Sequence, residues 1–324
     1  MKEALYYKNL PNSKVQCELC PHFCVIASNE IGICKVRKNL DGKLFAVNYA
    51  KTVTISIDPM EKKPLFHFYP GEKILSIGPN SCNFSCDFCQ NYSISQFEVQ
   101  TQNLSLESLL KVCKKHKSKF VAFTYTEPIT WYEYILDASK FLHENDIKTV
   151  MVTNGFINSE PLKELLPHID AMNIDLKSMD DDFYRRLCGG RLSPVLDTIK
   201  EASKKCHIEI TNLLITGEND SEDNIRGLVD FVEKIDVNIP LHFSKYYPQY
   251  KRSNPPTPSS SLNMAYNIAR EKLNYVFLGN VLFQNQTNCP NCGELLIKRE
   301  FHIKNYIKNN RCPDCNHLIY GKFD

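Results

Sequence analysis

Ile74-Leu75-Ser76-Ile77-Gly78-Pro79-Asn80-Ser81-Cys82-Asn83-Phe84-Ser85-Cys86-Asp87-Phe88-Cys89 runs from a short apolar strand signal into three cysteines spaced C-x3-C-x2-C, with an aromatic residue before the last. Iron–sulfur clusters are normally held by four thiolates, so a compact set of three leaves one iron of a [4Fe-4S] cluster without a protein ligand. An open metal position points to catalysis more than to structure. Zinc is the bland alternative. It usually takes a fourth protein ligand, or a water beside imidazoles, and this is not a zinc-knuckle spacing.

Working outward, strand and helix signals alternate between residues 72 and 283, which predicts parallel sheet. Candidate strands are residues 74–78, 120–125, 149–153, 171–176, 207–215, 241–243 and 275–278. Most are short Val/Ile/Phe-rich runs, as strands buried on both faces should be. Between them lie amphipathic stretches, such as Leu106, Leu109, Leu110 and Cys113 behind a Ser105 cap. Another is Ile225, Leu228, Val229 and Val232 behind Asp220, Glu222 and Asp223. Six or seven βα units are too few for a closed eight-stranded barrel, so the expected fold is α/β, an open partial (βα)6-type barrel.

In such barrels the chemistry sits at the carboxyl ends of the strands. The cysteine loop follows the first strand, Thr126-Glu127-Pro128 the second and Asn154-Gly155 the third. Asp175 and Lys177 end the fourth, Asn212 lies late in the fifth and His242 in the sixth. Taken singly, each has a plain reading as a turn, a capped strand end or a core histidine. Their shared location at one face gathers them into one candidate site.

With these residues in view, the chain resembles the radical S-adenosylmethionine (SAM) enzymes, and within them the pyruvate formate-lyase activating enzyme-like proteins. The resemblance implies that Cys82, Cys86 and Cys89 hold a [4Fe-4S] cluster whose open iron is chelated by SAM. Glu127 matches the acidic residue that contacts SAM's amino group, although the family's Gly-Gly-Glu reads Tyr125-Thr126-Glu127 here. Thr153-Asn154-Gly155 and Asp175-Leu176-Lys177 match elements that hold SAM's methionine part and ribose. His242 aligns with a histidine of the sixth strand, and Phe88 with the aromatic beside adenine. The chemistry is consistent: a carboxylate pairs with an ammonium, a lysine with a carboxylate, and an aspartate accepts from hydroxyls. The resemblance also implies an electron donor such as flavodoxin or ferredoxin.

Two cysteine-rich modules flank the core. Residues 1–71 carry Cys17, Cys20, Cys24 and Cys34, a set that suits zinc or a second iron–sulfur cluster. They also carry Asp58-Pro59-Met60-Glu61-Lys62-Lys63-Pro64-Leu65-Phe66-His67-Phe68, whose charged center reads either as a solvated turn or as functional. With the Tyr125-Thr126-Glu127-Pro128 variant, this module makes the chain resemble the radical SAM member of the AmmeMemoRadiSam system, which occurs with AMMECR-type and Memo-type proteins. Residues 284–324 carry Cys289-x2-Cys292 and Cys312-x2-Cys315 separated by 19 residues, a strong zinc-ribbon signal. So short a segment buries little core of its own, and zinc ligation would supply most of its folding free energy. Cys113 and Cys206 read as buried structural thiols, whereas Cys188 precedes Gly189-Gly190 and resists that reading.

The bulk numbers agree with an intracellular enzyme: 324 residues, 43% hydrophobic, net charge +2. There is no basic footprint for nucleic acid, no apolar signal core and no run of about 18 apolar residues to span a membrane. A cytoplasmic radical SAM oxidoreductase is the expectation. It would cleave SAM reductively to a 5′-deoxyadenosyl radical and take hydrogen from a substrate, which a partner protein's glycine would fit. A small-molecule or RNA substrate, or a non-catalytic metal-stapled interaction module, is the alternative.

Overall fold

The computed structural model describes residues 1–300 and 302–324. All seven expected strands form, as β2 (Lys73–Gly78), β3 (Phe120–Phe123), β4 (Lys148–Thr153), β5 (Ala171–Asp175), β6 (His207–Leu214), β7 (Leu241–Lys245) and β8 (Val276–Gly279). They pair in parallel with their sequence neighbors, for example Val150 opposite Ala171 and Asp175 opposite Thr211. An eighth strand, β1 (Thr54–Pro59), pairs antiparallel with β2 along its whole length. The sequence reading had left β1 inside the amino-terminal module. Its alternation Thr54-Ile55-Ser56-Ile57-Asp58 is nevertheless the pattern of a half-buried strand.

Spatial order follows chain order from β1 to β8, and the two edges do not pair, so the sheet stays open. Right-handed crossovers that always step the same way put the helices on one face. Side chains alternate accordingly. Leu75, Val121, Met151, Ile174, Ile210 and Phe243 join the helices in the main core. On the opposite face Ile74, Phe120, Ala122, Val150 and Ala171 are covered by Met60, Leu65 and Phe68 of the segment between β1 and β2.

The helices that matter here are α1 (Leu106–His116), α2 (Tyr132–His143), α3 (Ser159–Leu165), α4 (Leu192–Ala202), α5 (Glu222–Glu233) and α6 (Ser259–Arg270). Ser105 caps α1 by accepting from the Ser108 amide, as its position foretold. The cap of α5 is Ser221, directly ahead of Glu222 and Asp223, which suit the positive end of the helix.

The amino-terminal residues form two small antiparallel sheets, one from Tyr7–Leu10, Lys14–Cys17 and Val25–Ile26, the other from Lys2–Glu3, Arg37–Leu40 and Lys43–Ala46. They sit by the carboxyl ends of the strands: His22 bonds the Asn83 carbonyl at 2.7 Å, Ser81 donates to the Cys34 carbonyl, and the Asn158 amide donates to Leu19. The carboxyl-terminal ribbon comprises Thr287–Asn288, Leu295–Arg299 and Ile303–Asn305, and it covers the other side of the molecule through Phe66, Tyr275 and Phe277. Among the described residues, no helix is long and apolar enough to cross a membrane.

Candidate functional site

β2 ends at Gly78, where an added Cβ would lie 2.3 Å from the Thr124 carbonyl oxygen, so only glycine lets β2 and the end of β3 approach so closely. The chain then turns into the cysteine loop. That loop is held by backbone: the Ser85 and Asp87 amides donate to the Cys188 and Leu187 carbonyls at 2.9 and 3.1 Å. Gly190 permits the contact, because a Cβ there would meet the Phe84 ring at 2.2 Å. The Asp87 carboxylate is anchored by Arg252 at 2.8 Å, and Arg252 also pairs with Glu218 at 2.6 Å. Cys86 is buried, and Cys82 and Cys89 are half-buried.

Around the loop the strand-end polar residues converge. The Asn154 amide nitrogen reaches Asn83 Oδ1 at 2.8 Å and Cys82 Sγ at 3.9 Å. Glu127, 1% exposed, accepts from Thr153 Oγ1 at 2.7 Å, from the Asn154 amide at 2.8 Å and from the Ile129 amide at 3.0 Å. Burial pushes its carboxyl up to about 7, against the pull of those three donors. Glu127 therefore braces the turns after β3 and β4, and one lone pair on Oε2 remains for a further donor.

Lys177 pairs with Asp175 at 2.8 Å and lies 6.0 Å from the Phe88 ring centroid. Burial alone would depress its ammonium, but Asp175 and the neighboring Cys86 and Cys188 sulfurs hold it well above the ordinary lysine value. The backbone beneath is tied down by Asn212, which donates to the Leu176 and Lys177 carbonyls at 2.7 and 3.1 Å, and by Asn219, which reaches Lys177 at 2.5 Å. Phe88 is buried against Phe183, and Tyr250 stacks on Tyr92 at 4.7 Å.

Some residues fall elsewhere. His242 is buried, bonds Glu209 at 2.7 Å and sits edge-on to Phe66 at 4.8 Å. Glu209 also accepts from His207 at 3.0 Å and from the Phe66 and His67 amides at 2.9 and 2.7 Å. Burial would raise the Glu209 carboxyl, but His207 and His242 outweigh it and hold it below the usual range. His242 thus belongs to a polar plug under the ribbon and makes no bond to Glu127, Asn154, Asp175 or Lys177. Lys63 is likewise no solvated residue: it is 3% exposed and paired with Asp58 at 2.8 Å, while Lys62 stays outside.

Asn83, Asp87, Arg252 and Asn219 escaped the sequence reading. Asn83 stood inside the motif as a spacer, where polarity beside a ligand was the only signal. Cys188 lies beside the loop: contact with it lowers the Cys86 thiol, while burial pushes Cys188 up. Cys113 is buried on α1 as expected, whereas Cys206, expected to be buried, is half-buried one residue ahead of β6.

The four carboxyl-terminal cysteines come together as one group. Their sulfurs lie within 4.8 Å of one another, with Cys289 to Cys315 and Cys292 to Cys312 both at 3.6 Å. Tetrahedral bonds of about 2.3 Å set thiolate sulfurs roughly 3.8 Å apart, so this group could hold one metal ion.

Residues 76–231 match the Radical SAM superfamily profile. The chain is 42% identical to the uncharacterized protein MJ0808 of Methanocaldococcus jannaschii over 98% of this chain and 99% of that protein. It is 27% identical to the pyruvate formate-lyase-activating enzyme of Clostridium pasteurianum over 48% of this chain and 67% of the relative. A radical SAM methyltransferase from Sphaerobacter thermophilus shares the fold with a TM-score of 0.54 at 14% identity, over 70% of this chain and 71% of that one. With a radical SAM core built on a parallel sheet, and with activating enzymes among its relatives, the chain belongs to the radical SAM superfamily.

Proposed function

We propose that the chain is an activating-enzyme-like radical SAM enzyme whose cluster is held by Cys82, Cys86 and Cys89. The observation that carries this reading is the convergence on one three-cysteine loop of a carboxylate (Glu127), an amide (Asn154) and an Asp175–Lys177 pair. The donor set fits the group. The three sulfurs do not all lie within 4.8 Å of one another, as a single-ion site would require, and no fourth loop residue offers a thiolate. When bound, the cluster and SAM supply one-electron cleavage to methionine and a 5′-deoxyadenosyl radical.

The chain's own residues would bind and orient. Glu127 offers a carboxylate to the ammonium of SAM, and Lys177 offers a buried cation to its carboxylate. Asp175, about one-third exposed, accepts from ribose hydroxyls. Asn154 orients Asn83 and lies close to Cys82. Phe88 and Phe183, 5.8 Å apart between ring centroids, offer an apolar surface beside Lys177 on which an adenine ring would pack. His242 carries no role in this reading.

A flavodoxin- or ferredoxin-type protein is the proposed electron donor, and a protein substrate with AMMECR-type and Memo-type partners is the finer reading. Zinc is the proposed ion of the ribbon, on the 3.6 Å sulfur spacing. Anaerobic reconstitution with iron, sulfide, SAM and a strong reductant tests the chemistry. 5′-Deoxyadenosine is expected from the wild type and not from Cys89→Ser. Its absence from the wild type, or its persistence in the variant, would sink the reading.

A further inference from the structure

Cys17, Cys20, Cys24 and Cys34 line one cavity together with Arg37 and Asn83. Among the described residues, however, no three of these sulfurs lie within 4.8 Å of one another, whereas the ribbon's four do. A single tetrahedral ion draws its thiolates to roughly 3.8 Å, while an iron–sulfur cluster spreads them around a multi-iron core. The same chain therefore holds two cysteine quartets of different spread, and only one has single-ion geometry.

A second observation points the same way. Arg37 is 1% exposed and gives Nη1 to Glu133 at 2.6 Å, but its Nε and Nη2 hydrogens are buried beside the cavity without a partner. Unpaired buried donors are costly. Sulfide and thiolate sulfurs of a cluster would accept from them, and hydrogen bonds to sulfur together with burial set a cluster's potential. Asn83, the residue after Cys82, lines the cavity as well, and its carbonyl oxygen meets His22 Nε2 at 2.7 Å.

We infer that Cys17, Cys20, Cys24 and Cys34 ligate a second, fully cysteine-held [4Fe-4S] cluster, separate from the three-cysteine loop and independent of what that loop binds.

The test is iron, sulfide and zinc content of the full-length chain reconstituted anaerobically with zinc present, combined with EPR after reduction. The wild type should hold about eight iron, about eight sulfide and about one zinc. A Cys82→Ala/Cys86→Ala/Cys89→Ala chain should keep about four iron and give a reduced-cluster EPR signal that SAM does not alter. Adding Cys20→Ala to that chain should remove the remaining iron. A wild type with about four iron and about two zinc, or a triple variant with zinc and no iron, would overturn the inference. A triple variant that keeps its iron while the wild-type spectrum ignores SAM would support this cluster and sink the SAM reading of the loop.

Discussion

The two ends of this barrel solve the same problem, holding cysteines in place, in opposite ways. Under the ribbon, four sulfurs contract to single-ion spacing on two tight knuckles, and the module leans on Phe66, Tyr275 and Phe277. At the carboxyl ends of the strands, seven cysteines stay apart around cavities and buried charges, among them Arg37, Glu127 and Lys177. Contracted sulfurs need nothing further once an ion is bound. Spread sulfurs beside the unpaired Arg37 donors suit the larger, multi-iron group inferred above.

The largest effect is expected from breaking the stapled end. Cys312→Ser removes a ligand from the proposed zinc site, and a structural zinc ion contributes on the order of 10 kcal/mol of folding free energy. The ribbon should unfold, as proteolysis and a lower melting temperature would show, while iron binding at the other end persists. Loss of iron together with the ribbon would erase the contrast between the two ends.

The next largest is at the other end. Arg37→Met leaves Glu133 charged, 1% exposed and without its cation, a loss of about 3–5 kcal/mol in denaturant unfolding. The double variant Arg37→Met/Glu133→Leu should recover much of it, because the pair and not the charge itself is what the fold requires. Glu209→Gln tests the plug between the ends: an amide cannot accept from His207, His242 and two backbone amides together, and each donor left unmatched costs about 1–3 kcal/mol.

The smallest effect is a pH dependence. Burial raises Glu127 from 4.5 to about 7, so between those values the folded chain holds a proton that the unfolded chain releases. The Glu127 contribution to stability is thus complete below 4.5 and declines as pH rises through about 7, and Glu127→Gln should flatten that decline. The charged form is also the one that pairs with an ammonium. SAM affinity measured by calorimetry should therefore fall as pH drops below about 7, by up to roughly tenfold per unit, and Glu127→Gln should remove the dependence.

Much of this was legible in the chain. Parallel strands buried on both faces announce themselves as apolar runs, so seven strands fell within a residue or two of their places. The strand-end rule also gathered Glu127, Asn154, Asp175 and Lys177, which lie around the loop in the fold. β1 was missed because an antiparallel edge strand alternates instead of running apolar. His242 went astray because a polar residue facing the barrel interior looks the same whether it serves the site or the plug, and only Glu209 and Phe66 decide. The run Glu61-Lys62-Lys63 stayed open between a solvated turn and a functional role, because Asp58, the partner that buries Lys63, lies on a strand the apolar pattern does not announce. The spread of the amino-terminal cysteines could not be read at all, since spacing along the chain does not fix distance between sulfurs.

The most direct test of the whole account is the EPR spectrum of the reconstituted, reduced chain with and without SAM. SAM should change the signal of one cluster, and this change should disappear in Cys82→Ser while the other signal remains. A wild-type spectrum identical in the presence and absence of SAM would contradict it.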